Sequence, residues 1–102
     1  MEIIKQLVEK IDDELEDAEK YIKLACRMKE RDSALADTYY RLSNEEMNHM
    51  TMLHDQVVRI INDYKKSNEV PVGMQTLYGY LHERQIKWAS KVKAKQDSYK
   101  TT

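Results

Sequence analysis

Helix-breaking residues are almost absent from this chain, and where they fall decides its layout. Its one proline and two glycines all lie between positions 71 and 79. Everything before Pro71 is free to run as helix, so the breaks there must come from polar capping residues. Residues 2 to 30 carry Ile4, Leu7, Val8, Ile11, Leu15, Ala18, Ile22 and Ala25 at steps of three and four, a helical stripe bordered by Tyr21 and Met28. Lys29-Glu30-Arg31-Asp32-Ser33 is the break, with Asp32 or Ser33 placed to cap the next helix. Residues 34 to 66 form the second helix, striped by Leu35, Tyr39, Leu42, Leu53, Val57, Ile60 and Tyr64 and ending in Lys65-Lys66. The short connection makes the two helices antiparallel neighbours.

Residues 67 to 73 are the clear loop, and 74 to 102 hold a third helix and a frayed tail. The apolar side of that helix reads as Met74, Leu77, Leu81, Trp88 and Val92, with Gln85 among them. Gly79 inside it costs about 1 kcal/mol relative to alanine. This helix is basic, through Arg84, Lys87, Lys91, Lys93, Lys95 and Lys100. It suits the acidic face of the first helix, in the same chain or in a protein partner. The fold class is therefore all-α: a long helical hairpin over 1–66 plus a C-terminal basic amphipathic helix.

The charged fraction is 34% and the apolar fraction 41%, which fits helices with wet outer faces. A net charge of −1 gives no electrostatic case for nucleic acid. No window approaches the roughly 20 apolar residues of a membrane span, and no signal peptide is evident. The single cysteine, Cys26, reads as a small structural residue one step off the core stripe and favours a reducing cytoplasm. At 102 residues the core is modest, so association is expected.

Three polar residues fall on the inward side. Glu46 and His49, three apart, lie about 60° from each other and reach the same point. On the first helix Glu14 falls about 40° from the stripe centre, in the slot between Leu7 and Tyr21, whereas Glu16 points away. In a hairpin turning near residues 31 and 32, residues whose numbers add to about 63 lie side by side. Glu14 then meets His49, with Glu46 one turn off. Two carboxylates and an imidazole at one level form a half-set for a hard or borderline metal, iron or manganese. The other reading is a buried polar network that fixes register in a helical assembly.

Glu14 with Tyr21, followed by Glu46-x-x-His49 on the next helix, resembles the half-motif of the ferritin-like superfamily, as in rubrerythrins and encapsulated ferritins. The resemblance covers roughly residues 7 to 64. It implies that two hairpins dimerise into a ferritin-like four-helix bundle with a di-iron site between them. By that resemblance Glu14, Glu46 and His49 are metal ligands and Tyr21 an outer hydrogen-bond donor. The implied activity is Fe(II) binding and oxidation, a ferroxidase or related oxygen or peroxide chemistry, in a homodimer or larger even-numbered oligomer. Glu45, within reach of His49, is the auxiliary candidate. His54 lies about 95° off the stripe and reads as a surface or boundary residue, as does His82. Met47, Met50 and Met52 invite a copper reading but spread over different helix faces, which suits gap-filling instead.

Overall fold

The computed structural model describes residues 2–101. They form three helices: α1 (Glu2–Met28), α2 (Ser33–Lys65) and α3 (Val72–Thr101). The result is a rod of 55 × 18 × 17 Å, its length set by helices of 27 to 33 residues rising about 1.5 Å each. Among the described residues no helix is long and apolar enough to cross a membrane.

Local chemistry sets each boundary. After Met28 the chain tightens, with the Arg31 and Asp32 amides both donating to the Met28 carbonyl. Asp32 then takes extended backbone and its carboxylate accepts from the Leu35 amide, the N-cap of α2. Pro71 precedes α3, and its carbonyl accepts from the Gln75 amide. The helix begins at Val72 and runs to Thr101, so the expected frayed tail is helical through that residue. It is held by Tyr99, which is buried and donates its hydroxyl to Asp37. Burial first, then the Asp37 hydrogen bond, push the Tyr99 phenol up to about 12. Lys29 donates to the Tyr99 carbonyl and sits over its ring.

α1 is the central helix. Ile4, Ile11, Leu15, Ala18, Ile22 and Ala25 are all buried. α3 runs alongside α1 in the same direction and covers one side of the hairpin. Arg84 donates from one nitrogen to both oxygens of Asp12, at 2.8 and 2.6 Å, and Gln85 donates to the Val8 carbonyl and to Asp12. The basic helix thus meets the acidic one within the same chain.

The covered side of α3 differs from its expected apolar side. The buried residues are Gln85, Val92, Gln96 and Tyr99. Leu77 is 53% exposed and Trp88 is half-buried, with the Arg84 guanidinium 6.0 Å from its ring centre. The contact line lies toward the residues that hydrogen-bond to α1 and α2, and Leu77 falls off it. Cys26 is exposed, on the solvent side of α1.

α2 contributes little to the core of the single chain. Only Ala36 and Ser43 are buried on it. The apolar stripe of Tyr39, Leu42, Leu53, Ile60 and Tyr64 is half-buried, and Leu35 is exposed. Val57, on the same stripe, is half-buried and lines a cleft shared with α3.

Candidate metal centre

The crossing of α1 and α2 is set by two small residues. Ala18 and Ser43 are fully buried against each other, and the Ser43 hydroxyl donates to the Ala18 carbonyl at 2.7 Å. Gln96 of α3 donates to the same hydroxyl at 2.9 Å. This clasp lies one helical turn from Glu14 on α1 and one turn from Glu46 on α2. Its other neighbour along the hairpin is the stacked pair Tyr21–Tyr39, with ring centres 6.1 Å apart. The pairs Tyr21–Tyr39 and Ala18–Ser43 shift the register slightly from the expected one. By them Glu46 comes level with Glu14, and His49 lies a turn further along.

Glu14, Glu46 and His49 nevertheless meet. Each offers one ligand atom, and the three atoms lie within 4.8 Å of one another. His49 Nδ1 is 3.5 Å from Glu14 Oε2 and 3.7 Å from Glu46 Oε2. These are ion-pair distances rather than hydrogen bonds. The two carboxylate side chains are only 13% and 19% exposed, while the imidazole is 54% exposed. The acids are therefore largely dry, and the histidine stands at the mouth on the open face.

Two features show electrostatic tension. Glu14 Oε2 is buried and has no hydrogen-bond partner among the described residues. Leaving a carboxylate oxygen so costs about 1–3 kcal/mol or more. Glu46 is pushed up to about 7 from the usual 4.5. The cause is foremost the Glu14 carboxylate, which accepts a hydrogen bond from the protonated form, and then burial and the Glu14 charge. Near neutral pH Glu46 therefore still carries its proton part of the time. A cation between them would replace that proton and give Glu14 Oε2 a partner. Two carboxylate oxygens and one imidazole nitrogen suit iron or manganese, so the residues present fit such a metal.

The remaining expected residues sit as follows. Tyr21 is half-buried against Tyr39, and among the described residues its hydroxyl bonds to neither Glu14 nor Glu46. Glu45 is exposed and outside the three-residue cluster. His54 and His82 pair with each other: the rings stack with centres 4.9 Å apart, and His54 Nε2 lies 3.2 Å from His82 Nδ1. Sequence reasoning missed this pair because it depends on the registry of α3 against α2, which no local pattern carries. The Ser43–Gln96 clasp was missed for the same reason.

The chain matches no family model, no curated protein and no solved structure in the comparisons made.

Proposed function

We propose that this chain is a ferritin-like di-iron carboxylate protein that binds and oxidises Fe(II) at a site shared between two copies. The observation that carries the reading is the cluster of Glu14, Glu46 and His49, with its buried unpartnered oxygen, at the centre of an apolar face that α3 leaves open. One chain supplies two carboxylates and one imidazole. Two hairpins packed face to face about a two-fold axis give four carboxylates and two imidazoles, the ligand set of a di-iron four-helix bundle. They also bury Leu42, Leu53 and Ile60, which a single chain leaves half-exposed.

Fe(II) is the substrate. It passes electrons to oxygen or peroxide and becomes Fe(III). Glu14 and Glu46 supply negative charge that favours the more highly charged product, and Glu46 must give up its proton for the ion to enter. His49 adds a neutral nitrogen at the mouth. Tyr21, its ring fixed by Tyr39, serves as an outer hydrogen-bond donor once the second copy closes the site. Manganese suits the same ligands. A reducing cytoplasm fits the supply of Fe(II) and the exposed, unpaired Cys26.

The test is aerobic Fe(II) oxidation, followed by ferric absorbance, in the natural chain and in Glu14→Ala and Glu46→Ala. Loss of oxidation to the rate of free iron in both variants, with helix content retained, supports the reading. Unchanged oxidation in Glu46→Ala sinks it.

A second reading is a non-enzymatic assembly module in which the Glu/His network sets oligomer register. The raised Glu46 carboxyl, whose first cause is its hydrogen bond to Glu14, favours it, because the network then partly satisfies itself without metal. Replacing all three residues with apolar ones of similar size keeps or raises stability on this reading. Folding that depends on added metal contradicts it.

A further inference from the structure

At the end of the rod remote from the α1–α2 turn, a cleft of about 360 Å³ opens between all three helices. This is at the small end of ligand-binding pockets, which run from about 300 to 1,000 Å³. Ile4, Val8 and Ile11 of α1 and Val57 and Ile61 of α2 form its apolar walls. Its charged and titratable groups are Lys65, His54, His82 and the Tyr78 phenol. No aspartate or glutamate lines it, in a chain that carries 18 of them. The metal cluster lies elsewhere, on the open hairpin face.

We infer that this cleft binds a small apolar anion: an aliphatic or aromatic body with a carboxylate or sulfonate head. The apolar walls bury the body and the cationic side takes the head. Lys65 has no ion-pair partner among the described residues and is available for that role. The histidine pair supplies a donor in either tautomer. If His82 Nδ1 donates to His54 Nε2, the remaining proton of His54 lies on Nδ1. If the bond runs the other way, the remaining proton of His82 lies on Nε2. One outward N–H is left in both cases.

Gly79 is the independent observation. It lines the cleft in the interior of α3, where glycine costs about 1 kcal/mol relative to alanine. The usual reasons for a helical glycine are missing. Its φ is not positive, and a Cβ built on it meets no atom within 4 Å. What glycine does here is leave space along the cleft.

The test is titration of the full chain with 1-anilinonaphthalene-8-sulfonate, followed by fluorescence, with competition by decanoate and by decanol. The amide resonances of the natural chain are then mapped with decanoate bound. The expected result is one probe per chain, displaced by decanoate at concentrations at least about tenfold below those of decanol. Shifts centre on Gly79, His54, His82 and Ile61. Gly79→Leu, whose side chain occupies the cleft, weakens the probe by at least about tenfold, whereas Gly79→Ala keeps a helical fold. Absence of saturable binding overturns the inference, as does equal competition by decanol or full affinity in Gly79→Leu. Shifts centred on Leu42, Leu53 and Glu46 overturn it too, because they place the probe on the open hairpin face. Should Gly79→Leu fail to fold, the map on the natural chain decides alone.

Discussion

On the side of the hairpin that α3 covers, polar groups find partners within the chain. Gln96 reaches Ser43, Ser43 reaches Ala18, and Arg84 and Gln85 both meet Asp12. On the opposite side, two carboxylates face each other with one oxygen unpartnered, amid leucines and tyrosines that remain half-exposed. The same two helices build both sides. The covered side satisfies its buried polar groups within one chain, and the open side leaves Glu14 Oε2 unsatisfied among the described residues. On the function proposed above, a cation held by Glu14, Glu46 and His49 together with a second copy completes it.

The sharpest way to break this contrast is truncation on each side. Leu15→Ala, at a fully buried position under the covered side, is expected to lower unfolding free energy by about 2–5 kcal/mol in urea melts, whatever the protein concentration. Leu42→Ala, on the open side, is expected to cost under about 1 kcal/mol in the dilute single chain and more as association sets in. Equal losses from both, independent of concentration, contradict an unfinished face.

The acid pair gives the next largest effect. The folded-state value of Glu46, about 7, stands above its usual 4.5, so folding favours the protonated form. That contribution is full below about pH 4.5 and is lost as pH rises through 7. Metal-free protein is therefore expected to lose on the order of 2 kcal/mol of stability between pH 4.5 and 8, and Glu46→Gln to flatten the dependence. A stability that rises over this range contradicts the raised Glu46 carboxyl.

Smaller effects sharpen the covered side. Gln96→Leu removes the donor to Ser43 but leaves that hydroxyl its bond to Ala18, so a loss of about 1 kcal/mol is expected by thermal melting. Arg84→Ala is expected to cost less, about 0.5 kcal/mol, because the pair with Asp12 is one-third exposed on each side. A larger loss from Arg84→Ala than from Gln96→Leu would mean that charge, rather than the buried clasp, holds α3 in place.

How far sequence could be read follows from the same contrast. Helix existence and order were legible, since the stripes are local and the breaks are marked by Asp32 and Pro71. The convergence of Glu14 with Glu46 and His49 was legible too, because a hairpin with a short turn fixes register by counting. The count erred by a few residues because it assumed an idealised turn. The Ala18–Ser43 contact sets the true crossing and brings Glu46, rather than His49, level with Glu14. The contacts of α3 were not legible. Its buried face carries Gln85 and Gln96, whose partners lie 53 to 77 residues away, and an apolar pattern cannot show them. The same gap hid the His54–His82 pair and led to Leu77 being assigned to a core it does not join.

The central claim is that the open face becomes a metal site when two copies meet. Its most direct test is iron per chain after anaerobic Fe(II) loading, with the oligomer mass taken on the same sample before and after. The account predicts about one iron per chain, an even-numbered oligomer, and loss of the bound iron in Glu46→Ala. Iron binding no greater than in Glu46→Ala, or iron bound by a chain that stays monomeric, would contradict it.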